Sequence, residues 1–236
     1  DVDSVDEVTG RRRGTALRDL VPLDKGESVL HIVAPAVVDD PPPLMLVSAN
    51  GQMKRIEVTE ITSTPDGRSA MNLKAGDTLA AAFAAPDDSE LIAVTSNAQA
   101  MRCAVDAVSI QGRGAAGVAG MKLADGASVI GAGPAEDGSI VLTVSDAQTA
   151  KVTDVGEIPA KGRNTAGLRI TRFRNEKRLV WAYVGPPDDL LVVVGQQDSP
   201  TKPDASPEPV TMEHTGRDLV SKKTRRRMLG VGFGRW

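Results

Sequence analysis

The chain of 236 residues has a formal net charge of -3, with 41% hydrophobic and 25% charged residues, which can fill a core and argues against wholesale disorder. Its 23 glycines and 15 prolines, about one residue in six, exclude a bundle of long helices and favour short strands joined by turns. No apolar run approaches the roughly 18 residues of a bilayer-crossing helix, and the acidic opening from Asp1 to Glu7 does not read as a signal peptide. With one cysteine, Cys103, and two histidines there is no internal disulfide or common zinc site. A soluble, cytoplasmic protein without membrane, metal or cofactor is the expectation.

In chain order, Arg11-Arg12-Arg13-Gly14 comes first, followed by a turn and strand signal, Leu23-Asp24-Lys25-Gly26-Glu27-Ser28-Val29-Leu30. The segment Val47 to Arg55 then reads as strand, turn, strand: an apolar run, a Ser/Asn/Gly cluster able to take positive φ, and an alternating segment ending in a base. Val94 to Arg102 and Thr143 to Lys151 repeat it. Downstream of each hairpin comes a Gly-Arg pair: Gly67-Arg68, Gly112-Arg113, Gly162-Arg163 and, after a longer path, Gly216-Arg217. Some ten residues later a second strand signal recurs at Leu73 to Leu79 and Leu123 to Ile130, and Phe173 to Val180 takes that place in the next unit. Self-similarity at about 50 residues, four strands to a unit, is the pattern of propeller blades, since one blade buries both faces only by stacking on its neighbours.

The expected architecture is therefore all-β, a single β-propeller or β-pinwheel domain over 1–236 with four to five blades. The units are about 1–40, 44–88, 90–136, 139–188 and 190–236. Asp198 to Pro209, with four prolines and no apolar face, reads as a flexible insertion, after which Val210 to His214 resumes a strand pattern.

No catalytic constellation is visible. Tyr183 lies in the apolar strand Leu179 to Val184 and, with Trp181, reads as a packing residue. His31 and His214 have no Ser or Cys partner. Gly230 to Gly234 lacks the helix and Lys-Ser pair of a phosphate loop. Asp87-Asp88 and Asp188-Asp189 fall at equivalent turns between units and read as solvated.

The repeated hairpins, the Gly-Arg loops and the phrases Gln111-Gly112-Arg113-Gly114-Ala115-Ala116-Gly117 and Lys161-Gly162-Arg163-Asn164-Thr165-Ala166-Gly167 resemble the C-terminal β-pinwheel of the A subunit of bacterial type IIA topoisomerases. Gyrases of that family carry the heptad Gln-Arg-Arg-Gly-Gly-Lys-Gly. Gln111 to Gly117 keeps Gln111, Arg113, Gly114 and Gly117 and has Gly112 at the second place, while Arg11 to Leu17 keeps Arg12, Arg13 and Gly14. This pattern is closer to a topoisomerase IV or a divergent gyrase. The resemblance implies a noncatalytic, cofactor-free domain, cytoplasmic and nucleoid-associated, that binds and bends double-stranded DNA without sequence specificity. Its partners would be the catalytic portion of the same polypeptide and, through it, the ATPase subunit.

The charge distribution sharpens that expectation. From Lys151 to Val180 there are eight bases against three acids, and from Gly216 to Trp236 seven against one, whereas Ile56 to Ala150 has five bases and twelve acids. Glycine lets the backbone turn sharply while an arginine projects from the loop tip towards phosphate. The candidate duplex-binding residues are Arg163, Arg169, Arg172, Arg217, Lys161 and the cluster Lys222, Lys223, Arg225, Arg226 and Arg227, extended by Arg11, Arg12, Arg13, Arg68 and Arg113. The alternative reading is a protein-interaction propeller that uses its acidic middle blades.

Overall fold

The structure is a computed structural model, and it describes residues 17–21, 23–32, 40–63, 68–188, 190–194 and 206–233. A short helix, α1 (Leu17–Leu20), precedes the first hairpin, β1 (Leu44–Ser48) and β2 (Gln52–Ile56). Helix α2 (Val58–Thr62) and β3 (Leu79–Ala84) follow, then β4 (Glu90–Thr95), β5 (Gln99–Ala104), β6 (Val118–Ala119) and β7 (Val129–Pro134). The next unit has β8 (Ile140–Ser145), β9 (Thr149–Asp154), β10 (Leu168–Arg169), β11 (Thr171–Arg172) and β12 (Leu179–Gly185). The last comprises β13 (Leu190–Val194), β14 (Ser206–Pro209), β15 (Leu219–Val220), β16 (Lys222–Lys223) and β17 (Met228–Phe233).

The hairpins repeat to the level of single atoms. The last residue of the first strand, Ser48, Thr95 or Ser145, accepts a backbone N–H through its hydroxyl from the residue four places on, Gln52, Gln99 or Thr149, at 3.1, 3.0 and 3.2 Å. The turn needs a left-handed residue before the second strand. Gly51, Ala98 and Gln148 occupy that place with φ of 79°, 60° and 57°, so the second and third copies adopt it without glycine.

Each four-stranded sheet is assembled from two units. The orders are β3-β1-β2-β6, β10-β5-β4-β7 and β12-β8-β9-β16. In each, three strands belong to one unit and the fourth, β6, β10 or β16, is lent by the unit that follows. The lent strands hold one register: Val118 opposite Met53, Leu168 opposite Ala100, and Lys222 opposite Ala150. A fourth sheet, β14-β13-β17, has three strands, and β11 pairs in parallel with β15.

Sheets stack face to face, and the core is divided among their interfaces. Met45, Val47, Phe83, Leu91 and Met101 fill the first interface, Ile92, Val94, Val141 and Leu179 the second, and Leu142, Tyr183, Val192 and Met228 the third. Strands β3, β7 and β12 pack together at one edge, which leaves the lent strands at the opposite, outer edge. The close approach needs small residues on β7. A Cβ at Gly131 would stand 2.4 Å from the carbonyl oxygen of Ala182, and one at Gly133 2.2 Å from that of Val184.

The expected insertion 198–209 is partly replaced by structure. Residues 198–205 lie outside the described residues, but Ser206–Pro209 form β14, antiparallel to β13. Prolines tolerate such a place because β14 is an edge strand. The strand expected at Val210–His214 is a loop, with a single bridge from His214 to Val152. Among the described residues no helix is long and apolar enough to cross a membrane.

Candidate nucleic-acid interface

The outer edge is built by the Gly-Arg loops and the lent strands that follow them. Because the register of β6, β10 and β16 is shared, residues at fixed offsets are structurally equivalent. Arg113, Arg163 and Arg217 each lie five places before the lent strand. Gly114, Asn164 and Asp218 come next, and Ala119, Arg169 and Lys223 end it. Lys122, Arg172 and Arg226 follow. At these last two places the first lent strand has one base, Lys122, and the later two have two each, Arg169 and Arg172, and Lys223 and Arg226.

The loop arginines do not stand free at loop tips. Arg163 donates from Nε to the carbonyl oxygen of Ala107 at 2.9 Å and from Nη1 to that of Ala119 at 3.0 Å. Arg217 reaches the carbonyl oxygen of Arg169, the counterpart of Ala119, at 3.5 Å, and Arg113 that of Glu60 at 3.3 Å. Each guanidinium thus ties its loop to an earlier segment of the chain. A carbonyl does not neutralise the cation, and at Arg217 the Glu157 carboxylate lies close by, accepting the backbone N–H at 3.4 Å. Arg163 is exposed and Arg113 and Arg217 are half-buried.

Other bases that looked available in the sequence serve as braces. Lys54 is buried, and its Nζ lies 2.7 to 3.2 Å from the carbonyl oxygens of Ala70, Gly112, Arg113 and Ala115. It holds the Gln111–Gly117 loop from beneath, and burial, then Arg113, lowers its pKa. Gly117, at φ 85°, closes that loop where a Cβ would stand 2.5 Å from the Met53 carbonyl oxygen. Lys151 is 2% exposed and donates to the carbonyl oxygen of Ile170 at 2.6 Å. Burial draws its pKa down to about 8, and it adds little to the surface charge that the sequence count assigned to it. Arg55 and Arg102 extend between units to the carbonyl oxygens of Val108 and Ile158. Asp87 pairs with Arg55 and is more than a solvated turn acid.

Several candidates carry a carboxylate partner. Arg169 forms a two-toothed pair with Asp218, and Arg172 reaches the same carboxylate at 3.4 Å. Lys222 pairs with Glu213 at 2.8 Å and Arg226 with Glu208. Arg68, Lys161, Lys223, Arg225 and Arg227 are exposed and have no ion-pair partner among the described residues. Arg11, Arg12 and Arg13 lie outside the described residues.

The acids of the middle units gather elsewhere, at the strand ends away from the hairpins. Asp87 and Asp88, Asp106, and Glu136 and Asp137 are exposed there on turns, and Asp154 ends β9, whereas Glu157, in a short 3-10 turn after β9, accepts the Arg217 backbone N–H at 3.4 Å and so borders the outer edge. Tyr183 is 7% exposed and its hydroxyl donates to the Pro186 carbonyl oxygen. His214 meets Asp154 through Nδ1 at 2.6 Å, and burial raises the Cys103 thiol to about 11. No group of three His, Cys, Asp or Glu side chains among the described residues is placed to hold a metal ion.

Comparison with known proteins agrees with the fold. The DNA gyrase A protein of Deinococcus deserti is 30% identical over 191 residues, 77% of this chain and 23% of the relative, and that of Mycobacterium bovis is 27% identical over 192 residues, 80% and 23%. The chain thus spans about a quarter of the length of the curated relatives it matches. A solved C-terminal domain of DNA topoisomerase IV superposes with a TM-score of 0.79 at 20% identity, covering 93% of this chain and 70% of that one. A DNA gyrase A C-terminal domain does so with 0.73 at 20%, covering 92% and 74%; both likenesses concern the fold. The family model for the DNA gyrase C-terminal domain, a beta-propeller, matches residues 42–86, 89–136 and 139–185, the three units whose sheets and lent strands have just been described, and the chain belongs to that family.

Proposed function

We propose that this domain is the noncatalytic duplex-binding and duplex-bending module of an ATP-dependent type II DNA topoisomerase, acting in the cytoplasm on the nucleoid. The catalytic tyrosine and the ATPase would be supplied by the rest of the assembly. The observation that carries the proposal is the recurrence of basic residues at equivalent places on the outer edge, Arg169 and Lys223, Arg172 and Arg226, beside loops that each carry an arginine at one fixed place, Arg113, Arg163 and Arg217. Such an edge meets phosphates rather than bases, so binding is independent of sequence and strongly weakened by salt. Bending a site of 20–30 base pairs by 40–90° costs about 1–6 kcal/mol, which requires contacts from several units.

The test is a fluorescence-anisotropy titration with random duplex at two salt concentrations. Micromolar or tighter binding, with log K falling linearly against log salt, is expected. Binding that is absent at low salt overturns the proposal. In that event the exposed acids Asp88, Asp106, Glu136 and Asp137 support the second reading, a surface for a basic protein partner.

A further inference from the structure

Asp218 is the odd residue at its place in the repeat. Its counterparts are Gly114 and Asn164, and both Asn164 and Asp218 adopt left-handed backbone, φ 60° and 62°, which Asn and Asp tolerate best among residues with a side chain. Only in the last unit does this place carry charge. Both oxygens of the Asp218 carboxylate are engaged by Arg169, and one of them also by Arg172. All three side chains remain reachable by solvent, at 52%, 57% and 28% relative exposure for Arg169, Arg172 and Asp218. The same guanidinium fork that takes a carboxylate through two parallel N–H bonds takes a phosphate in the same geometry.

We propose that Arg169 and Arg172 form a phosphate-binding fork on the outer edge and that Asp218 occupies it in the free domain as an internal competitor, so that duplex must displace the carboxylate to bind. The proposal rests on the duplex-binding reading above and adds to it a site and a brake. A surface ion pair of this kind is weak, so a polyanion can displace it. Once displaced, the carboxylate stays close enough to repel the phosphate that replaced it. The hydrogen bonds to Asp218 hold its pKa down at about 2, so the brake is fully charged at neutral pH.

The experiment compares the parent chain with Asp218→Asn, which copies Asn164, and Asp218→Gly, which copies Gly114. Each is titrated with random 30-base-pair duplex in about 100 mM salt and with inorganic phosphate. A control, Asp137→Asn, changes the net charge by the same amount on the turn between β7 and β8. Both Asp218 variants should tighten duplex binding by about fivefold, the size of one like-charge contact in water-like surroundings, and the gain should shrink as salt is raised. Asp137→Asn should change it less than twofold. The proposal is overturned if both Asp218 variants bind within twofold of the parent, or if Asp137→Asn tightens binding as much. A parent that binds no duplex overturns the functional reading and this proposal together. A parent that binds with unchanged Asp218 variants overturns this proposal alone.

Discussion

Arg163 and Ala119 lie 44 positions apart in the chain, yet the Arg163 guanidinium donates to the Ala119 carbonyl oxygen at 3.0 Å, and Arg217 repeats the contact on Arg169 one unit later. The arginine of the Gly-Arg pair is thus a strap between successive lent strands as well as a charge at the edge. The two roles separate experimentally. Arg163→Lys keeps the charge but cannot span Ala107 and Ala119 together, whereas Arg163→Ala loses both. We expect each to lower stability by about 1 kcal/mol in urea unfolding, and only the alanine variant to flatten the salt slope of duplex binding, by about 0.9 for one phosphate contact. Equal slopes for all three proteins would leave Arg163 with the strap alone.

Lys54 answers four carbonyl oxygens. Lys54→Met keeps the length of the stem and leaves those oxygens to water. The expected loss is about 2 kcal/mol, with amide exchange accelerated in the Gly112–Gly117 loop while β7 and β8 stay protected. Unchanged protection of the loop would mean that Gly117 and the lent strand hold it unaided.

Gly133 has no room for a side chain, because a Cβ would overlap the Val184 carbonyl oxygen. Gly133→Val should cost about 3 kcal/mol by forcing β7 and β12 apart. An unchanged melting temperature would show that this interface yields.

Glu176 supplies a pH dependence. Its partial burial opposes ionisation, but N–H bonds from Arg174 and its own neighbours and hydroxyl bonds from Thr149 and Ser221 outweigh that and hold its pKa at about 2, against an ordinary 4.5. The folded state therefore prefers the carboxylate. Its contribution is complete above pH 4.5 and is lost as pH falls through about 2. Glu176→Gln should melt lower than the parent at pH 6, with the two curves converging towards pH 2. A constant offset across that range would contradict the assignment.

Lys151 acts in the opposite window. Its folded pKa of about 8 lies below the ordinary 10.5, so above pH 8 the folded state sheds its proton first and this residue adds stability as pH rises towards 10.5. Lys151→Met should remove that rise, seen by chemical denaturation at pH 7.5 and pH 10. A variant with the same slope as the parent would point to another titrating group.

The local chemistry of this protein was legible in its residues. The three hairpins form where the repeated strand-turn-strand pattern puts them, because a turn is set within a few residues of chain, although the left-handed place falls on Ala98 and Gln148 in the second and third rather than on the Ser/Asn/Asp cluster. The period of about 50 and the stacking of unit on unit follow from the recurrence of that pattern along the chain. What the residues alone did not reveal are contacts that depend on the crossing of chain between units. Strands β6, β10 and β16 belong to one unit by sequence and to the preceding sheet by hydrogen bonding. Lys54 and Lys151 look like surface bases in an alternating strand, but the loop lent by the next unit covers Lys54, and Ile170, from the connection between β10 and β11, meets Lys151. Asp218 counts as one acid among seven bases along the chain, and only the fold brings it to Arg169, 49 residues away. A net charge can be summed along a sequence, but which charges are paired, buried or free is set by distances of a few ångströms between residues far apart in the chain, and those the tertiary structure alone decides.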